Sequence, residues 1–568
     1  MMLSMKYRLA DPVPELISEK LAQFDTLSRQ LLYNRGISER EVAESFLQPN
    51  YDTDLHDPFL MRDMETAVTR ILKAIESGER IAIYSDYDCD GIPGAVVLHN
   101  FFTKIGHANL TNYIPHRHYE GFGFNKGAVE KLADDSVDLI ITVDCGTTDH
   151  EALTAAKVAG IDVIVTDHHE IPEIEPDCLA LLNPKVQDAY PFTELCGAGV
   201  AYKLVQGIIA RGKFEIPKGW EKWLLDMVGV ATIADMVPLT GENRVLAHYG
   251  LTVLRKSRRP GLQHLFRVTK GSQKYATEDD VGFTIGPRVN AASRMDTPEA
   301  AFHLLTTTDE AEAGEQAHAL EQLNNERKGV VAAMSKELKK KVAAQNDLPA
   351  VLVFGNPDWR PSLVGLAANS LAEQHSRPAF IWGRDGNGVI KGSCRSEGST
   401  SVLGLMRAVA DDLLEHGGHH FSGGFSVSDQ AIHTLSEKLN SAHAALGSDV
   451  QITEVPTADA VLTLEDITPK LLRELRSLAP YGVGNDKPLF LFTDIKPREV
   501  GVFGKTKEHT KLVFDTLTGP REAIQFFKLP EQYEKVPVVN EPLSLLAHVE
   551  ESFFMGRPQT RLRIVDIV

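Results

Sequence analysis

Nowhere in the 568 residues does an apolar run approach the roughly 18 needed to cross a bilayer, so a membrane-spanning helix is excluded. The opening stretch MMLSMKYRLADPVPE has no signal-peptide h-region, and a cytoplasmic chain without membrane association is expected. Cysteine is scarce. The five residues Cys89, Cys145, Cys178, Cys196 and Cys394 form no CxxC pair, which argues against a disulfide framework or a zinc ribbon and for free thiols in a reducing compartment. Positive charge is in deficit, with a net charge of −19. Acidity of this size ordinarily argues against a polyanionic partner, because phosphate binding is driven by Lys and Arg. Carboxylates gathered around divalent metals also lower the net charge, and a basic groove can sit on an acidic body, so the local pattern has to decide. Internal repeats and low-complexity tracts are absent. With 43% apolar and 24% charged residues, the chain is an ordinary globular one, and its length suggests roughly four domains at about 150 residues each.

Periodicity divides the chain. Residues 1–60 carry the amphipathic stretch GISEREVAESFL and read as an N-terminal cap. In 61–297, a helix from Met64 to Gly78 precedes three short apolar runs, IAIY, VDLIITV and IDVIVT, with helical segments between them. Strands alternating with helices imply an α/β fold with a doubly wound parallel sheet. Residues 298–347 are rich in Ala, Glu, Lys and Leu and predict a long connecting helix between two lobes. Residues 348–450 predict a second, smaller α/β domain, with a helix around Val402–Leu414 and a glycine-rich end, EHGGHHFSGGF. In 451–568, five strand-like segments (LFLF, KLVFD, AIQFF, SLLAHV and RLRIVDIV) fit a C-terminal OB-like β-barrel.

Each of the three apolar runs in the first domain ends in acids or imidazoles: SDYDCDG, Asp144, and Asp167-His168-His169. That edge of an open α/β sheet is where ligands bind. One aspartate after a strand usually caps the next helix; three clusters in succession are hard to explain by capping. Asp86, Asp88 and Asp90 stand at i, i+2 and i+4, close enough to repel and to need a cation or protonation. A solvated acidic turn is the plain alternative. A calcium loop fails, because no bidentate Glu follows at its twelfth position and a strand precedes the acids. A mixed Asp/His set without cysteine favours Mn2+ or Mg2+. Two such ions would clamp the attacking and leaving oxygens of a phosphoester, and Asp144, on the middle motif, is placed to bridge them. Asp167 is suited to orienting an imidazole from behind. Asp235 is an acid inside the apolar segment GVATIADMVPL, where a helix cap is the competing explanation.

The segments DYDCDG, VDCG, TDHHE and TIADMVPL resemble, in order, the four motifs of the DHH phosphoesterase superfamily. Further segments, LLYNRGISEREVAESFL, YIPHRHYEGFGFN, LCGAGVAYKL, IGPRVNAASRM, LNNERK, the GGH run and LAPYGVGNDKPLF, are similar to its RecJ branch of single-strand-specific exonucleases and extend over nearly the whole chain. The resemblance implies a DHH catalytic domain over 61–297 and a DHH-associated substrate-binding domain over 348–450. It also implies two metal ions on Asp86, Asp88, Asp144, His168 and Asp235. His169 would face the scissile phosphate, Asp167 and Asp90 would support the site, and Arg117, Asn290 and Arg294 would line the path of the strand. Ser393 and Arg395 would meet a terminal phosphate, and Gly417, Gly418 and His419 would bind substrate over the metals. The activity implied is 5′-to-3′ hydrolysis of single-stranded DNA to 5′-mononucleotides in DNA repair and recombination, with single-stranded DNA-binding protein and a helicase as partners.

Three departures bear on this. Many DHH enzymes have a histidine where Ala82 stands, Trp-His-Pro-Gly often replaces Trp359-Arg360-Pro361-Ser362, and GGHHFSGGF differs from the usual glycine-rich motif. Two other features suggest strand handling: the basic run RKSRRPGLQHLFRVTKGSQK, and Phe503, Phe526 and Phe527 beside Lys505, Lys507 and Lys511. The competing activities are cleavage of short oligonucleotides or cyclic dinucleotides, and a catalytically inactive replication scaffold on the same fold.

Overall fold

The structure, a computed structural model, describes residues 7–186, 190–397, 400–446, 455–504, 507–554 and 557–568. The boundary expected at 450/451 and Lys505 lie outside the described residues.

Ile81–Ser85 (β1), Leu110–Tyr113 (β2), Leu139–Val143 (β3), Asp162–Thr166 (β4) and Ala180–Leu182 (β5) form a parallel sheet in the order β2-β1-β3-β4-β5. β1 and β3 are buried along their whole length. Helices cover both faces, so these strands read as continuous apolar runs instead of alternating ones. Ile81 and Ile83 pack with helices Met64–Ser77 and Gly91–Ile105, whereas Ala82 and Tyr84 pack with Lys126–Asp134 and His150–Ala159. The strand order reverses between β1 and β3. Loops leaving these two strands therefore diverge and open a crevice at their carboxyl ends.

A helical half completes the first lobe: Gly197–Arg211, Leu225–Ala234 and Gly286–Met295 reach the same edge through Gly197, Asp235 and Asn290, and Gly241–Leu254 packs on Leu225–Ala234. The connector is two helices, Glu299–Thr306 and Glu310–Ala343. The second has 34 residues and spans about 51 Å. It buries Ala317 and Leu320 in the first lobe's core and Met334 and Leu338 in the second's.

The second lobe is built on a mixed sheet of Leu352–Gly355 (β6), Ala379–Arg384 (β7), Ile390–Arg395 (β8), Leu413–Gly418 (β9) and Ser422–Val427 (β10), in the order β9-β10-β8-β7-β6. Only β6 and β7 run parallel. The helix expected over Val402–Leu414 stops at Ala408, and the glycine-rich stretch after it is an antiparallel hairpin, β9-β10. Its glycines carry no strand propensity, which hid it in the sequence.

The C-terminal sheet has seven strands: Ala460–Val461 (β11), Phe490–Ile495 (β12), Glu499–Phe503 (β13), His509–Thr516 (β14), Gly519–Gln525 (β15), Leu543–Phe554 (β16) and Arg557–Ile567 (β17). β11 and β13 are absent from the expected five: β11 has two residues, and β13, EVGVF, is a short edge strand with no buried residue and a glycine at its centre. The N-terminal helices Thr26–Tyr33 and Arg40–Leu47 put Leu31, Leu32 and Ala43 into one core with Phe490, Phe492 and Phe514. Arg8–Leu9 pairs with Thr457–Ala458. The N-terminal segment thus roofs the barrel. Arg244 on the first lobe holds both: it donates to the carbonyls of Phe46, Ser477, Leu478 and Ala479.

Candidate metal centre

The loop after β1 carries Asp86 and Asp88. The loop after β3 carries Asp144, that after β4 carries Asp167, His168 and His169, and Asp235 follows helix Leu225–Ala234. All converge on the crevice. Asp86, Asp88 and Asp144 present ligand atoms within 4.8 Å of one another; so do Asp144, His168 and His169, and so do Asp90, His168 and Asp235. Asp144 belongs to two of these three groups. His168 Nε2 lies 3.1 Å from Asp144 Oδ1 and 3.8 Å from Asp235 Oδ2. Asp144 has a left-handed backbone, φ 61°, uncommon for a residue with a Cβ and typical of functional sites. A methyl group on Gly197 would sit 2.6 Å from Asp144 Cβ, so only glycine lets that helix approach so closely.

Electrostatics match the crowding. Burial and neighbouring carboxylates push Asp86 and Asp144 far above the usual carboxylate range. Burial and the charges of Asp90 and Asp88 raise Asp235 to about 9. Burial and the His169 charge lower His168 to about 4, which leaves the ring neutral with a lone pair to give. Asp86 Oδ1 and Asp144 Oδ1 are buried without a hydrogen bond. Divalent cations fit this arrangement: they would satisfy the orphaned oxygens and relieve the repulsion, and a hard set of carboxylates with one neutral imidazole suits Mn2+ or Mg2+.

Asp90 differs from its neighbours. Its two oxygens accept the amides of Gly197 and Ala198 at 2.6 and 2.8 Å, so it fastens the first motif to the start of helix Gly197–Arg211. Asp167 is likewise occupied. Its Oδ1 accepts from the amides of His168 and His169 and lies 2.7 Å from His169 Nδ1, and its Oδ2 accepts from Thr147 N. Burial alone would raise this carboxyl, but the His169 ring outweighs it and holds it well below the ordinary range. Burial pulls His169 down, yet Asp167 lifts it to about 9. Sequence reasoning missed Asn183, whose buried amide donates to His169 O and Thr147 Oγ1, and Asp149, which accepts from Phe124 N and Gly146 N. Neither belongs to a motif; only the fold brings them to it.

The other expected residues divide between the lobes. Arg117 stacks 4.6 Å over Tyr87 and lowers the pKa of Asp86 by its charge. Arg294 donates to Ser362 O at 2.7 Å, and burial and the charges of Arg117 and Arg327 bring its pKa down to about 9. Asn290 spends its Oδ1 on the amide of Cys89 and so braces the first motif. Ser393 and Arg395, on β8, flank Gly365 of helix Pro361–His375, the helix whose Ser362 Arg294 holds. Gly417 and Gly418 end β9, Gly418 at φ +139°, and the charge of His419 reaches His168 and Glu170 across the cleft. Ala82 is buried beside Tyr84, so β1 supplies no imidazole. Of the basic run, Arg259 is spent on Asp226 and Arg255 on Ala276 O. On the barrel, Phe503, His509, Phe526 and Phe527 form one ring cluster, with Arg563 4.3 Å over Phe526 and Phe527 81% exposed.

Comparison with known proteins agrees with this anatomy. The DHH family N-terminal domain matches residues 80–232, the DHHA1 domain 347–446 and the RecJ OB domain 458–566. The single-stranded-DNA-specific exonuclease RecJ of Bacillus subtilis (strain 168) is 34% identical over 542 residues, 95% of this chain and 67% of that protein. The chain belongs to the RecJ family. RecJ of Haemophilus influenzae is 29% identical over 530 residues, 90% of this chain and 91% of that one. Among solved structures, RecJ from Thermus thermophilus in complex with Mn2+ matches with a TM-score of 0.82 at 26% identity, covering 99% of this chain and 79% of that one. The RecJ fold therefore runs through both lobes, the connector and the barrel.

Proposed function

We propose that this protein is a metal-dependent exonuclease that hydrolyses single-stranded DNA from the 5′ end to 5′-mononucleotides, in DNA repair and recombination. The names of its relatives support the activity. The observation that carries it is three overlapping groups of possible ligands at the strand-order reversal, drawn from Asp86, Asp88, Asp90, Asp144, His168, His169 and Asp235, with two orphaned carboxylate oxygens. Two divalent ions on these five residues, Asp144 shared, would supply Lewis acidity to the attacking and leaving oxygens. The protein's own groups do the rest. Asp167 takes His169 Nδ1, which leaves Nε2 for a phosphate oxygen. Arg294, on Ser362 O, and Ser393 and Arg395, beside Gly365 of the same helix, would meet a terminal phosphate. The exposed ring of Phe527 on the barrel suits base stacking along the incoming strand.

A barrel bound into the fold by the N-terminal segment favours long strands over dinucleotides. A scaffold without catalysis would have no use for carboxylates buried at such cost. Among the described residues no helix is long and apolar enough to cross a membrane. A cytoplasmic site of action, with single-stranded DNA-binding protein and a helicase alongside, follows from the repair role. The test is degradation of 5′- and 3′-end-labelled single strands with Mn2+. Mononucleotides released from the 5′ label at once, with the 3′ label shortening progressively, are expected. Internal cutting, or equal attack at both ends, would contradict the proposal.

A further inference from the structure

Residues 255–277 carry seven Lys or Arg and no Asp or Glu, on a protein whose net charge is −19. The fold ties them into one unit around helix Pro260–Val268. Gln273 Nε2 donates to the carbonyls of Leu254 and Ser257, so the segment leaving that helix lies against the turn that enters it. Buried Asp226 accepts from Ser257 Oγ and Arg259 Nε, and Arg259 reaches on to Leu305 O. Three cations of the run meet groups inside the protein: Arg259 in that pair, Arg255 on Ala276 O, and Arg267 3.2 Å from His264 Nε2. The side chains of the other four, Lys256, Arg258, Lys270 and Lys274, are exposed and make no ion pair or hydrogen bond among the described residues. The acids that follow do not compensate them. Asp279 pairs with Lys487, and the charges of Glu278 and Asp280 fall on Arg255. This unit also lies away from the metal centre. Asp226 stands at one end of helix Leu225–Ala234 and Asp235 at the other, about 14 Å apart along its axis.

Four unpaired cations on an anchored base suit a polyanion, and a nuclease has one for its substrate. The rings nearby say which form of it. A single strand is gripped by phosphate contacts together with ring faces on which its bases stack. Here the exposed ring of the run is Tyr275, and Lys274 lies over it, 5.4 Å from the centroid. Cations without an open ring read backbone charge alone, and a duplex keeps its bases stacked inside while its phosphates face out. We propose that Lys256, Arg258, Lys270 and Lys274 bind the phosphates of a duplex that adjoins the single strand under degradation. The proposal rests on the nuclease reading for its substrate. The contact is indifferent to sequence, because phosphates carry none. It anchors the enzyme where a single-stranded segment meets paired DNA, while the crevice takes the strand's end.

The experiment compares wild type, a neutralised variant (K256Q, R258Q, K270Q and K274Q together) and a charge-preserving one (K256R, R258K, K270R and K274R together). Binding is followed by fluorescence anisotropy over a salt series, without divalent metal, on a single strand and on the same strand with its 3′ portion paired to a complement. Wild type is expected to bind the partly paired strand more tightly than the bare one. The neutralised variant should lose about tenfold or more of its affinity for the partly paired strand, with the salt slope reduced by about 3 to 4. It should keep its affinity for the bare strand, its melting temperature and its rate of single-strand degradation with Mn2+. The charge-preserving variant should match wild type throughout. Equal wild-type affinity for the two DNAs would overturn the duplex contact. So would an equal loss by the neutralised variant on both, which would assign the patch to the single strand. Wild type that leaves the bare strand uncut with Mn2+ would overturn the nuclease reading and the proposed role with it, whatever the binding shows.

Discussion

Asp144 is the residue on which the site turns: of the two residues that belong to two ligand groups at once, Asp144 and His168, it is the carboxylate, with an oxygen free to face each ion. Asp144→Ala should reduce hydrolysis to background and abolish most of the rise in melting temperature that Mn2+ gives the wild type, while the fold persists. Substantial residual activity would contradict a bridging role. Asp167 acts one step removed, by holding His169 Nδ1 and the amides of three residues. Asp167→Asn should keep the metal-induced thermal shift but lower turnover by about 10- to 100-fold, measured on labelled single strands. Asp86, Asp88 and Asp144 were legible in the sequence because they stand at the tips of short apolar runs, a purely local signal, whereas Asp235, at a helix end, stood out only through the family resemblance. Asn183 and Asp149 were not. Their value lies in which amide, carbonyl or hydroxyl they meet, and those partners are up to 36 positions away.

Elements position these residues through close approaches and buried pairs. Helix Gly197–Arg211 touches Asp144 at Gly197 and is pinned further along by Lys203, whose Nζ lies 2.6 Å from Glu242 Oε1 with both side chains buried. Gly197→Ala would force a methyl group onto Asp144, so loss of activity and of Mn2+-induced stabilisation is expected, read by calorimetry. Lys203→Met leaves the Glu242 charge uncompensated and should cost about 3–5 kcal/mol in denaturant unfolding of the first lobe; Lys203→Met with Glu242→Leu should recover much of it. Full cost in the double variant would contradict the pairing argument. At this scale the parallel strands were readable, since burial on both faces leaves continuous apolar runs. The hairpin β9-β10 was not, because its glycines carry no strand propensity, and edge strand β13, five residues with a glycine at the centre, is too short to stand out.

For the whole molecule, the two ends of the chain form one body. Leu31, Leu32 and Ala43 share a core with Phe490 and Phe514, and Arg244 ties this body to the first lobe through four carbonyls. An amphipathic N-terminal helix announces that one face is buried; its pattern cannot say against what, so the roof over the barrel was invisible in the sequence. Arg244→Met should loosen the barrel and slow degradation of long strands more than of short ones, with limited proteolysis reporting the looseness. The central claim is that five residues from four separate segments hold two divalent cations with Asp144 between them. Anomalous scattering from manganese-soaked crystals tests it most directly. Two peaks among Asp86, Asp88, Asp144, His168 and Asp235, both contacting Asp144, are the expected result; no peak there, or a single ion that leaves Asp86 and Asp88 unliganded, would contradict it.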